Sequence, residues 1–238
     1  MRLAIDTATD RLSVALGHSS ADALERELTG ARRHAAALLP MVQELLDSAG
    51  VTLEAVRTVV LADGPGSFTG LRVGASVAKA LAHARGVALW TAPSLLLRAC
   101  GVGHAGQIVL AAADALRGEV YAAAYRLGAA RIEELLPPAV YRPGELVAGP
   151  LRPDLLVGEV PDAAARVLEA WAGRAILGPP AGAPHARVLL GLVDRPGGAA
   201  RVEAVQGWEP RYGRPAEAQV RWESAHGRPL PDSVGSRG

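Results

Sequence analysis

The segment Gly64-Pro65-Gly66-Ser67-Phe68-Thr69-Gly70 constrains this chain more than any other. Three glycines and a proline within seven residues break both helix and strand, because Pro has no N–H to donate and Gly loses the most backbone freedom on ordering. The apolar run Thr58 to Ala62 before it reads as a buried strand. The stretch Leu71 to Arg85 after it reads as a helix, with Gly86 as its stop signal. The chain therefore passes from a buried strand into a helix through a tight turn, as α/β folds do.

Two uses of such a turn stay open. Pro65 fixes φ and Ser67 or Thr69 caps the helix, which makes a rigid connector. Free amides at Gly64, Gly66, Ser67, Thr69 and Gly70, at the positive end of a helix dipole, would also suit an anion. Spacing excludes three better-known loops. A P-loop needs Lys-Ser/Thr after its last glycine, but Leu71-Arg72 follow Gly70. A dinucleotide fingerprint needs glycine where Thr69 stands and an acid at the end of the next strand, Val87 to Ala92, which carries none. A nucleophile elbow needs glycines two before and two after Ser67, where Pro65 and Thr69 stand.

The rest of the chain fits two similar α/β units. Leu3, Ile5, Leu12, Val14 and Leu16 alternate at period two around the polar turn Asp6 to Asp10, a hairpin, and a third strand covers Ala23 to Leu28. A helix spans Ala31 to Ala49, with Leu38, Leu39, Val42, Leu45 and Leu46 on one face and His34 and Met41 at its edge. Ser94 is placed to cap a short helix to Cys100. The strand–Asp–turn–strand pattern returns with Ile108 to Ala113, Asp114 and Glu119 to Tyr125. Strands at Leu155 to Val157 and Ala175 to Leu177 and helices at Asp162 to Ala172 and Pro184 to Val193 follow. We divide the chain into units at 1–103 and 104–213, with a polar, disordered tail at 214–238.

On the second helix Arg72, Ser76, Lys79 and His83 form a narrow polar stripe, and nearly everything else is apolar. So wide an apolar arc exceeds what one sheet covers. Gly74, Ala78 and Ala82 form a flat row suited to close helix approach. Burial against the preceding helix and contact with another subunit both satisfy that arc. The single cysteine, Cys100, reads as a core thiol and allows no disulfide. An acid at Asp6 comes too early for a signal peptide, and no apolar run is long enough to span a membrane, so a cytoplasmic setting is expected.

Several segments together resemble the TsaB family. They are Met1 to Thr9, His34 with Leu38-Leu39-Pro40, Gly64 to Gly74, Asp114 to Tyr121, and the weaker Glu209-Pro210-Arg211-Tyr212. The resemblance implies an actin-like, RNase H-like duplicated fold. It implies a non-catalytic subunit that supports TsaD, with TsaE, in threonylcarbamoyl transfer to the adenosine beside the tRNA anticodon, and a homodimer when alone. It also implies a TsaD interface on the two N-terminal helices, which we assign to His34, Leu38, Met41, Val73, Gly74, Val77, Ala78 and Leu81.

The spacing of residues gives no enzyme. TsaD-like enzymes hold metal with two histidines one turn apart, but Leu38 stands four after His34, and the other histidines are scattered, so no metal is expected. Asp6 and Asp114 take the positions of magnesium-associated acids in actin-like ATPases, yet Asp6 is followed by Thr7-Ala8-Thr9 and not by phosphate-gripping glycines. They read as vestigial acids that close hairpins, and no cofactor is expected. The alternative is an actin-like ATPase or glycoprotease-like hydrolase acting alone. A net charge of +1 argues against a strongly basic nucleic-acid binder; direct tRNA contact would fall to Arg211, Arg214, Arg221 and Arg228.

Overall fold

The computed structural model describes residues 1–30 and 33–213. β1 (Arg2–Asp6), β2 (Arg11–Gly17) and β3 (Leu24–Thr29) form an antiparallel meander. β4 (Thr58–Ala62) lies parallel to β1, and β5 (Ala88–Ala92) parallel to β4. α1 (His34–Ser48) follows β3, α2 (Phe68–Arg85) joins β4 to β5, and α3 (Ser94–Val102) leads to the second sheet. There β6 (Ile108–Asp114), β7 (Val120–Leu127) and β8 (Ile132–Tyr141) repeat the meander, and β9 (Leu155–Glu159) and β10 (Ile176–Leu177) continue it in parallel. α4 (Pro143–Ala148), α5 (Asp162–Ala172) and α6 (Arg187–Leu192) complete the helices, and β11 (Ala200–Arg201) pairs with β5. The strand orders are β11-β5-β4-β1-β2-β3 and β10-β9-β6-β7-β8. Apart from β11 the two windings are the same, which is the duplicated actin-like, RNase H-like fold.

Alternation along the strands explains the layers. Leu3, Ile5, Val59 and Leu61 face one way and pack with Leu38, Leu45 and Ala78 of α1 and α2. Ala4, Val60 and Ala62 face the other way and meet Ala111, Ala123 and Val157 of the second sheet. These short side chains allow the two halves to approach closely. Leu110, Val120 and Leu156 form a third cluster with Ala164 and Leu168 of α5. α1 has no side-chain cap at Arg33. Burying Leu38, Leu45 and Leu46 is worth about 2 kcal/mol each, against about 1 kcal/mol for a cap, so packing and not capping sets this helix.

Several expectations are corrected. α2 begins at Phe68, three residues before Leu71, because the Ser67 hydroxyl accepts the Gly70 N–H at 3.2 Å. Ser94 does not cap α3; its hydroxyl accepts the Gly64 N–H at 3.0 Å instead. The ten-residue β8 is absent from the sequence reading, since Pro137-Pro138 argue against a strand; β8 is an edge strand with register shifts opposite Ala122 to Ala124, where proline is tolerated. α4 is only six residues long, with Pro143 and Glu145 as start signals. The last helix shortens to Arg187–Leu192. Residues 104–213 are not confined to the second half, because β11 joins the first sheet. The helix start at Ala31 and the tail at 214–238 lie outside the described residues.

Candidate functional site: the strand ends and the outer face of two helices

The glycine-rich turn lies hard against the β1–β2 turn. A Cβ on Gly66 would sit 2.2 Å from the Ala8 carbonyl oxygen, and one on Gly70 2.0 Å from that of Thr7. Gly64 has φ +108°, where L side chains are strained. Its amides serve the chain itself: Gly64 N–H donates to Ser94 Oγ, Ser67 N–H to the Ala8 carbonyl at 2.7 Å and Gly70 N–H to Ser67 Oγ. Three of the five amides proposed for an anion are thus committed. Tyr212 stacks on Phe68 with ring centroids 4.6 Å apart, and Arg72 lies 4.9 Å over the Phe68 ring from α2.

Asp6 and Asp114 do the same local job. Asp6 Oδ1 accepts the Ala8 N–H at 2.9 Å, and Asp114 Oδ1 accepts the Leu116 N–H at 2.7 Å. Each closes its hairpin through a bond two residues on. Their settings differ. Asp114 is exposed, whereas Asp6 is buried and its Oδ2 has no hydrogen-bond partner among the described residues. Burial pushes the Asp6 carboxyl up to about 6, and the Ala8 N–H and the nearby Arg98 only partly oppose this.

The sequence reading missed a third acid, Asp63, at the end of β4. It is 1% exposed, and burial raises its pKa despite the Arg211 guanidinium, whose Nε lies 3.3 Å away. An acid between a buried strand and a glycine was the available signal. Arg211 also donates its backbone N–H to the Asp63 carbonyl. It arrives on the segment after β11, where Val202, Val205 and Trp208 pack on the first core and Lys79 donates to the Trp208 carbonyl at 2.8 Å. Arg211→Ala should lower the melting temperature more at pH 8 than at pH 5. Asp63 loses its counter-charge, its folded pKa rises further above the unfolded value, and the resulting cost is felt as pH climbs through that folded pKa. Thermal melts at the two pH values check this.

Arg98 of α3 is 4% exposed and donates to Glu159 Oε1 at 2.7 Å and to the Gly182 carbonyl at 3.1 Å. It thereby ties α3 to the end of β9. Cys100 is half-buried, and burial pushes its thiol up to about 12, so little nucleophilic thiolate forms at neutral pH.

The helix surfaces sort the expected interface residues. His34, Leu38, Met41, Gly74 and Ala78 face the chain's own core. His34 Nε2 lies 3.1 Å from the Asp10 carbonyl, pinning α1 to the β1–β2 turn. A Cβ on Gly74 would meet Thr7 Oγ1 at 2.4 Å, so the Gly74-Ala78-Ala82 row exists for the approach of α2 to its own sheet. These five residues are corrected to core positions. Val73, Val77 and Leu81 are half-buried, and Ala80 is exposed beside them. On α1 the outward leucine is Leu39, at 56% exposed, with Ala36 and Pro40. Leu39 was placed on the buried face by periodicity and belongs on the outer one.

Comparison with known proteins agrees with this fold. A family model described as TsaD, tRNA N6-adenosine threonylcarbamoyltransferase, matches residues 28–165. The Escherichia coli tRNA threonylcarbamoyladenosine biosynthesis protein TsaB is 40% identical over 126 residues, which is 52% of this chain and 54% of that protein. The Haemophilus influenzae TsaB is 38% identical over 121 residues, 50% of this chain and 51% of that protein. The chain thus spans about half the length of these curated relatives. YeaZ from Pseudomonas aeruginosa superimposes with a TM-score of 0.68 at 35% identity, covering 81% of this chain and 89% of that one. With its doubly wound fold, its glycine-rich turn and this coverage of YeaZ, the chain belongs to the TsaB (YeaZ) family.

Proposed function

We propose that the chain is a non-catalytic subunit in the biosynthesis of threonylcarbamoyladenosine on tRNA. It binds a TsaD partner through the outer faces of α1 and α2 and so supports threonylcarbamoyl transfer, with TsaE joining the assembly. The observation that carries the reading is family membership joined to apolar side chains left uncovered on the two helices: Leu39 of α1 is exposed, and Val77 and Leu81 of α2 are half-buried. Apolar side chains left uncovered on neighbouring helices suit a protein contact. The same faces serve a homodimer when the partner is absent, and tRNA is met through the complex in the cytoplasm.

The chain's own residues favour support over chemistry. Three turn amides are engaged internally, Asp63 is covered by Arg211, and Arg98 is spent on Glu159 and Gly182. These contacts oppose the alternative of an independent ATPase or hydrolase, which needs free phosphate-binding groups between its halves.

Leu39→Arg and Val77→Arg test the surface. Each places a charge on one of these faces, and the exposed Leu39 site costs the fold little. Binding of TsaD in a pull-down or by calorimetry should weaken at least tenfold, about 1.4 kcal/mol or more. Unchanged binding by both folded variants would place the interface elsewhere.

A further inference from the structure

We propose that Glu25, Glu27 and His185 form a zinc site that ties the edge of the first sheet to the segment leading into α6. No local pattern points to it, because the histidine spacing shows no ligand pair and the two glutamates lie far from His185 in the chain. The fold assembles the set. Glu25 and Glu27 stand two apart on β3 and project to one face. His185 reaches them from the other side, its Nδ1 2.7 Å from Glu27 Oε1 and 3.6 Å from Glu25 Oε2. One ligand atom from each of the three residues lies within 4.8 Å of the other two.

The donor types and distances suit the ion. Zinc takes imidazole nitrogen and carboxylate oxygen at about 2.0–2.2 Å, which puts tetrahedral ligand atoms about 3.3 Å apart. The two separations at His185 Nδ1 bracket that value. Glu25 is also held from outside the set, as metal-ligating carboxylates usually are. Its Oε1 accepts Ser13 Oγ–H at 2.8 Å and the Arg187 N–H at 3.1 Å, leaving Oε2 toward His185. Ser13 Oγ in turn accepts the Ala186 N–H at 2.9 Å, which fixes the backbone beside the histidine. The side chains of Glu25, Glu27 and His185 are 11%, 29% and 34% exposed, so solvent can deliver an ion and occupy the fourth position.

Two arginines compete for the carboxylates. Arg11 pairs with Glu27, and Arg187 Nε lies 3.2 Å from Glu25 Oε2. Without metal the cluster is an ion-pair clasp. With metal, Arg11 must give up Glu27. The two states respond in opposite directions to one substitution: loss of Arg11 weakens a clasp but strengthens a zinc site.

Titration of the full chain with zinc, in competition with a chromogenic chelator, tests the proposal. Wild type should bind one equivalent and gain melting temperature. Affinity should fall at least tenfold in His185→Ala and in Glu27→Gln, and rise severalfold in Arg11→Ala. Glu27→Gln keeps the test valid if His185→Ala does not fold. Equal zinc binding by wild type and both ligand variants, no binding at all, or weaker binding by Arg11→Ala would overturn the proposal and leave the cluster as an ion-pair clasp.

Discussion

Gly70→Ala is expected to destabilise the chain by about 3 kcal/mol, a fall of about 10 °C in melting temperature for a chain of this length. Elsewhere in a helix the change would help, because alanine is the better helix former by about 1 kcal/mol. Gly70 lies in the first turn of α2, outside the positive-φ glycines, so backbone strain does not decide the outcome. Space does. The added Cβ would stand 2.0 Å from the Thr7 carbonyl oxygen, and this neighbour is backbone. Thr7 cannot yield, because Asp6 holds the Ala8 N–H on one side and Ala8 holds the Ser67 N–H on the other. Relief requires α2 to lift from the sheet, which opens the cluster of Leu61, Ala75 and Ala78. Gly144→Ala in α4 is the control, with nothing within 4 Å of its added Cβ. It should melt at or above the wild-type temperature. Gly70→Ala melting with the wild type would mean that the glycine-rich turn does not lie against the β1–β2 turn.

The second large effect is a change in pH dependence on Asp6→Asn. The Asp6 carboxyl titrates near 6 in the fold, against an ordinary value of 3.8. A folded pKa raised above the unfolded one means stability that is fully present below pH 3.8 and lost as pH rises through 6. The ionised carboxylate then costs the fold about 3 kcal/mol, taking about 1.4 kcal/mol per pH unit. Asparagine keeps an oxygen for the Ala8 N–H and cannot ionise. Its amide also brings a fixed cost that does not vary with pH, since among the described residues Asp6 Oδ2 has no hydrogen-bond partner. The stability of the variant relative to wild type should therefore improve by about 2.4 kcal/mol between pH 4 and pH 8, the rest of the cost being already present at pH 4. Denaturant titrations at the two pH values measure it. A constant difference would mean that Asp6 keeps an ordinary carboxylate pKa, held by a cation or a partner.

Much of the fold was legible because local rules and the core agreed. Leu3 and Ile5 alternate, Asp6 and Asp114 mark hairpins, and Gly86 ends α2 in the left-handed conformation. β8 was hidden by Pro137-Pro138, which only its edge position makes acceptable. The site was less legible. Periodicity says that one face of α2 is covered, but not by what. The Gly74-Ala78-Ala82 row suits the approach of another helix, in this chain or in a second subunit, and is the seat of the helix on its own sheet. The choice between Leu38 and Leu39 turned on the angle at which α1 meets the sheet, which sequence spacing does not carry. Asp63 with Arg211, and Glu25 with His185, are pairings across the fold for which no local pattern exists.

The role proposed for this chain is to assist a transferase without doing chemistry. The most direct test is formation of threonylcarbamoyladenosine on tRNA by TsaD and TsaE supplied with threonylcarbamoyl-AMP, with and without the chain. Product is expected only when the chain is added, with none from the chain alone and loss of the stimulation in Leu39→Arg. Product formation that is unchanged by the chain, or product made by the chain on its own, would contradict it.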